Sequence, residues 1–258
     1  MTSVAGHREG FPFSWKEVVR RSFAFAGYRL TRMRPSNRFQ AMDQTLLLLR
    51  SIGFAPRVVI DAGANMGSWT LMCYGIFPDA SYQLIEPQPA HANLLNNLAS
   101  SLPRAEFHAV AVTEPDFRTV RMCGAESSGA WVATDGERGD GEIICPAATL
   151  DELFGTRFST QDRVLLKLDL ECHELPALRG AIRLLQAVEV VLTEVQFYPV
   201  NDHARPTFSD IFEFFREVGF DLYDFACLSQ RPKDMRLCMG DVVFVRRDSE
   251  LLADRSWD

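Results

Sequence analysis

Residues 58–67 read VVIDAGANMG, and a second strand-like run, SYQLIEP, brings Glu86 to its end twenty-five positions after Asp61. An unbroken apolar strand that runs into a glycine turn, followed by an acid closing the next strand, leaves few folds open. It is the local pattern with which an open α/β sheet builds a nucleoside-binding crevice at the carboxyl ends of its strands. Gly63 and Gly67 suit positions where a side chain would block a tight turn or the approach of a ligand. Glu86 stands where a carboxylate accepts hydrogen bonds from the two hydroxyls of a ribose. Asp61 has a second reading, in which it caps the backbone N–H groups of the glycine turn.

The rest of the chain keeps the alternation that a parallel sheet requires. Strands are predicted near 57–61, 81–85, 105–112, 163–169, 188–194, 219–225 and 241–246. Helices are predicted near 66–76, 89–101, 174–186 and 207–218. Before the first strand, Pro35, Ser36 and Asn37 separate helical stretches at about 14–33 and 38–52, the second with Phe39, Met42, Leu46 and Leu49 at helical spacing. The expected organisation is a helical N-terminal extension over 1–54 and one α/β domain over 55–258. Two stretches break the rhythm. Residues 124–142, rich in Gly, Ser and Asp, read as a hairpin or loop. Residues 227–240, with Arg231, Lys233 and Arg236, separate two strands that can pair as an antiparallel hairpin at the sheet edge.

Charge and cysteine usage exclude several classes. Residues 1–57 hold ten Arg and Lys against three Asp and Glu, so of the net −7 the remaining residues carry −14. An acidic body argues against a nucleic-acid footprint, which needs clustered positive charge. The basic arm interleaves Lys16, Arg20, Arg21, Arg29 and Arg32 with Trp15, Phe23, Phe25 and Tyr28. It reads first as an amphipathic helix packing on the domain or on a second copy, which weighs toward a homodimer, and second as a peripheral contact with an anionic membrane surface. No apolar run reaches the length of a transmembrane helix, and His7, Arg8 and Glu9 interrupt any signal-peptide core. Six cysteines without a CxxC spacing read as reduced thiols of a cytoplasmic protein.

The second dense feature is VLLKLDLECHE, 164–174. An apolar strand contains Lys167, and Asp169, Glu171, His173 and Glu174 crowd its carboxyl end. Buried charges need partners, so the cluster calls for a ligand, a metal or mutual pairing. Lys167 pairing with Asp169 or Glu171, and Glu174 favouring the start of the next helix, is the plain structural reading. The following strand, VEVVLTEVQFYP, ends similarly at Glu194. Two neighbouring strands thus direct carboxylates toward one crevice. Asp169, Glu171 and Glu194 are oxygen donors of the kind Mg²⁺ takes, but no spacing demands a metal. His203 is a weaker candidate in the loop after Glu194.

The D-A-G-A-N-M-G turn, the I-E-P strand end, T-L-D at 149–151, K-x-D-x-E-x-x-E at 167–174 and T-E-V at 193–195 occur in that order. The series resembles the FkbM-type family of S-adenosylmethionine-dependent methyltransferases over about residues 45–246. Asn65 stands where many methyltransferases have their middle glycine, and His173 is common at its position in the family. Cys172 departs from the usual glycine after the second acid, and it carries strain if that backbone takes φ > 0.

The resemblance implies a Rossmann-like class I methyltransferase: an α/β fold with a seven-stranded, mostly parallel sheet, an antiparallel edge strand, helices on both faces and added N-terminal helices. It implies S-adenosylmethionine as cofactor, with Asp61, Gly63, Asn65 and Gly67 on the methionine and ribose side, Glu86 on the ribose hydroxyls and Asp169 near the amino-acid portion. The acceptor would be a small molecule or glycoconjugate, methylated on oxygen by in-line displacement. Asp169, Glu171, His173 and Glu194 are the catalytic candidates, with His173 best matched to base catalysis by its intrinsic pKa. A nicotinamide oxidoreductase is the competing enzyme class, against which stand the missing GxGxxG and Tyr-x-x-x-Lys. A methyltransferase fold kept as a binding module is the competing non-enzyme.

Overall fold

The computed structural model describes residues 38–125, 129–133, 137–199 and 206–257. In chain order these form α1 (Arg38–Ser51), β1 (Val58–Ala62), α2 (Ser68–Ile76), β2 (Ser81–Ile85), α3 (Pro89–Ser101), β3 (Ala105–His108), β4 (Ala111–Val112) and β5 (Thr119–Cys123). There follow β6 (Trp131–Val132), β7 (Ile143–Ala148), α4 (Leu150–Phe154), β8 (Val164–Leu168), α5 (Glu174–Arg179), β9 (Val188–Gln196), α6 (Phe208–Glu217), β10 (Phe220–Gln230) and β11 (Leu237–Arg246). The predicted helix at 14–33 and His203 lie outside the described residues.

A seven-stranded sheet has the order β10-β11-β9-β8-β1-β2-β3. β3, β2, β1, β8 and β9 are parallel, and β11 runs antiparallel to both β9 and β10. Every residue of β1 and β8 is buried, as expected of strands covered on both faces. Side-chain alternation sorts the core into two layers. Val58, Ile60 and Leu166 pack with α4, α5 and α6, while Val59, Leu165 and Val190 pack with α1, α2 and α3. Met42, Leu46 and Leu49 of α1 are fully part of this second layer, and the compact unit that contains the sheet begins at Arg38.

Local chemistry sets the element ends. Pro89 opens α3 at a position where its missing N–H costs nothing. Thr149 and Glu152 close a capping box at the start of α4, and Thr207 and Asp210 do the same for α6.

The structure departs from the sequence pattern in several places, and β5 and β7 correspond to no predicted strand. The strand expected at 105–112 divides: β3 belongs to the main sheet, whereas β4 joins a separate four-stranded sheet of order β4-β7-β5-β6. The 124–142 stretch, expected as a hairpin or loop, contributes β6 to that second sheet, where Trp131 and Val132 pair antiparallel with Cys123 and Met122. The helix expected at 174–186 stops at Arg179, and Gly180 follows it before a short turn at Leu184–Gln186. The last two strands run well into the stretch expected to be a loop, because β10 and β11 continue their pairing to Gln230 and Leu237. Among the described residues, no helix is long and apolar enough to cross a membrane.

Candidate active site

The sheet order reverses between β1 and β8, since the chain proceeds from β1 outward through β2 and β3 but later outward from β8 through β9. A crevice opens at such a switch point, beyond the carboxyl ends of the parallel strands. Here it is a cavity of about 410 Å³, walled by segments following β1, β2 and β8.

The turn after β1 has positive φ at Gly63 (81°), Asn65 (48°) and Gly67 (78°). A Cβ on Gly63 would lie 1.9 Å from the Asp169 carbonyl oxygen, so only glycine lets the turn press against the segment after β8. A Cβ on Gly67 would lie 2.3 Å from Leu98, where α2 sits close to α3. Gly63 and Asn65 line the cavity; Gly67, expected on the cofactor side, does not.

Glu86 is buried, and backbone amides hold both of its carboxylate oxygens. Asn65 N–H donates to Oε2 at 2.9 Å and Gln88 N–H to Oε1 at 3.0 Å. Each oxygen keeps accepting capacity, and the carboxylate is fixed before any ligand arrives.

Asp61 is completely buried beneath the turn and is not a wall of the cavity. Its Oδ2 accepts from the Thr70 hydroxyl at 2.6 Å, and its Oδ1 lies 2.9 Å from Lys167 Nζ. Lys167 also donates to the Gly63 carbonyl at 2.8 Å and lies 3.8 Å from Asp169. The lysine inside the apolar strand is thus neutralised chiefly by Asp61, a partner on the adjacent strand. A buried pair of this kind is strongly destabilised when one member is removed, by about 3–5 kcal/mol.

The segment after β8 is unusually constrained. Glu171 (φ 52°) and Cys172 (φ 74°) are consecutive non-glycine residues in the left-handed region, so the strain expected at Cys172 is present. Several bonds hold this backbone. Asp169 N–H donates to the Ala62 carbonyl and His173 N–H to the Leu170 carbonyl. Leu170 N–H donates to Glu174 Oε1 at 2.8 Å, and the Gln196 amide reaches Cys172 Sγ. His173 Nε2 lies 3.0 Å from the hydroxyl of buried Thr113. Asp169, Glu171 and His173 all line the cavity. Glu174 is buried behind them, and burial pushes its carboxyl up to about 7, with the charges of Asp169 and Glu171 adding to the effect.

Glu194 stands apart from this group. It is buried in β9 directly opposite Asp241 of β11 and does not line the cavity. Among the described residues, no three His, Cys, Asp or Glu side chains gather as metal ligands.

Sequence reasoning passed over several walls. Met122, Ala130 and Val132 come from the second sheet and its approaches. Their role rests on strand pairings that no local pattern announces. Trp69 and Gln88 also line the cavity, each nine-tenths or more buried. Trp69 Nε1 and Gln88 Oε1 are buried without a hydrogen-bond partner among the described residues. The available signal was position: Trp69 follows the glycine turn by two residues, and Gln88 follows the acid by two.

A mostly parallel sheet with antiparallel β11 set between β9 and β10, and a strand–turn–helix crevice facing an acid at the end of β2, define a Rossmann-like class I methyltransferase fold. The sequence matches the methyltransferase FkbM domain over residues 61–222, and the chain belongs to that family. Among solved structures it is similar to precorrin-6y C5,15-methyltransferase of Geobacter metallireducens, with 11% identity over 86% of this chain and 95% of that one, TM-score 0.44. A putative RNA methyltransferase of Pyrococcus horikoshii gives 15%, 89% and 98%, TM-score 0.45. The 1,6-didemethyltoxoflavin N1-methyltransferase of Burkholderia thailandensis, solved with its substrate and S-adenosylhomocysteine, gives 17%, 95% and 94%, TM-score 0.45. No match is found among curated proteins.

Proposed function

We propose that this chain transfers a methyl group from S-adenosylmethionine to a hydroxyl oxygen of a carbohydrate, glycoconjugate or other secondary metabolite. One observation carries the reading: a backbone-anchored carboxylate, Glu86, shares a single cavity with Asp169, Glu171 and His173. The residues fit the cofactor. Glu86 offers fixed acceptors for a ribose diol, Asp169 an acceptor for an ammonium group, and the unpaired Trp69 and Gln88 atoms a donor and an acceptor in the wall. Apolar Val110 and Val112 supply the flanking surface that a purine needs. When bound, the cofactor supplies an electrophilic methyl group on a sulfonium.

The remaining chemistry belongs to the chain. An alcohol holds its proton tightly, so a base within hydrogen-bond reach of the acceptor oxygen is required. His173 takes this role in our reading, because it lines the cavity and Thr113 orients its ring through Nε2. Glu171, on the same segment, orients the acceptor. The Gly63–Asp169 contact fixes the spacing between the donor turn and this segment, which serves the alignment that in-line displacement demands. Glu194, opposite Asp241, has no place in the mechanism.

Titration calorimetry with S-adenosylhomocysteine and with NAD is the first test. Binding of the former and not the latter is expected; the reverse would mean an oxidoreductase, and binding of neither a non-catalytic module. Radiolabelled methyl transfer to a panel of glycosides, lipids and small alcohols then tests the acceptor, and label on nitrogen or carbon would overturn the O-methyl assignment.

A further inference from the structure

Trp69 belongs to none of the family motifs, and the reading above leaves open which group of an occupant its donor would meet. It is the second residue of the nine-residue helix α2, it is 4% exposed, and it lines the cavity. Its indole nitrogen is a donor and nothing else. That N–H is buried without a partner among the described residues. Buried donors are rarely left unmade in native proteins, and one in the wall of a cavity identifies what the occupant must present there: an acceptor.

Its surroundings specify which acceptor. Lys167 Nζ lies 5.8 Å from the centre of the Trp69 ring and 3.8 Å from Asp169, so Trp69 and Asp169, both walls of the cavity, lie near the same lysine. Trp69 also belongs to the first turn of α2, where unpaired backbone N–H groups and the helix dipole favour negative charge. A carboxylate acceptor for a cation and a neutral donor at a helix start form a complementary pair. They match an α-amino acid zwitterion, whose ammonium faces Asp169 and whose carboxylate faces Trp69.

We propose that Trp69 is a cofactor-binding residue, its indole N–H donating to the carboxylate of the methionine portion of S-adenosylmethionine. The inference rests on the donor assigned above and adds a residue and a polarity to it. Because Lys167 is neutralised by Asp61, recognition of the carboxylate falls to this neutral donor and the helix start rather than to a free cation.

The test compares two nucleosides that differ in the amino-acid portion. S-Adenosylhomocysteine has the carboxylate; 5′-methylthioadenosine lacks it. By calorimetry on the full chain, Trp69→Phe is expected to weaken S-adenosylhomocysteine roughly tenfold or more, the range for a hydrogen bond to a charged group, and to leave 5′-methylthioadenosine unchanged. Equal losses for both ligands would make Trp69 a packing residue and overturn the inference, as would no loss for either. Because a variant at a buried aromatic can fail to fold, a wild-type measurement stands beside it. The chain has four tryptophans, so their indole N–H resonances separate by NMR. One is expected to move downfield with S-adenosylhomocysteine and to stay in place with 5′-methylthioadenosine; the same shift with both would overturn the inference. Binding of neither ligand to the wild type would instead overturn the donor assignment itself.

Discussion

Replacing Glu174 with glutamine is expected to make the protein more stable above neutral pH and to leave its stability nearly unaltered in acid. The carboxyl is buried and is raised from 4.5 to about 7, with desolvation the largest cause. Between those two values the folded chain retains a proton that the unfolded chain has released. Wild-type stability therefore falls as pH rises through this window, and the loss is complete once pH exceeds about 7. The size follows from the same displacement, about 3 kcal/mol, a large fraction of the stability of a typical domain. Glutamine keeps an oxygen to accept from Leu170 N–H, the bond Glu174 makes at 2.8 Å, and has no proton to lose. Urea denaturation of both proteins at intervals from pH 4.5 to 8 reads the difference directly. The stability gap, variant minus wild type, should open by about 3 kcal/mol toward alkaline pH. Parallel curves, or a gap that closes as pH rises, would refute the reasoning.

Glu86→Ala should weaken S-adenosylhomocysteine by about 1–3 kcal/mol with the fold intact, measured by calorimetry, since it removes a charged acceptor fixed by two backbone amides. His173→Ala should lower kcat by about 10²- to 10⁴-fold while cofactor affinity holds, which single-turnover kinetics beside binding would establish. Cys172→Gly should raise the unfolding free energy by about 1 kcal/mol, because φ of 74° costs glycine nothing; an unchanged or lower denaturation midpoint would count against strain at that residue.

What the sequence disclosed depended on how local the signal was. β1 and β8 were legible because strands buried on both faces are dominated by apolar residues, with Asp61 and Lys167 the paired exceptions, and Glu86 because it closes the strand next to the glycine turn. The strain at Cys172 was legible only through the resemblance, which puts glycine at that position, and on the condition of a positive φ, which the structure has. The second sheet was hidden: β4 and β6 are two residues each, β4 acquires meaning only through its distant partner β7, and β5 and β7 alternate apolar with polar residues too weakly to be read as strands. Glu194 misled for a related reason. A strand end identifies an edge of the sheet, but not the distance from the reversal in strand order, and β9 lies one strand beyond β8. Lys167 found its principal partner in Asp61, on a neighbouring strand, rather than in the acids that follow it in sequence. Trp69 drew no attention because a tryptophan in an apolar helix ordinarily fills a core.

The absence of a side chain at Gly63 leaves the turn after β1 resting on the Asp169 carbonyl, joining two segments far apart in the chain without play between them. A machinist would call such a joint a hard stop. Whatever seats against the turn therefore meets the segment carrying Glu171 and His173 at a spacing the backbone has already set.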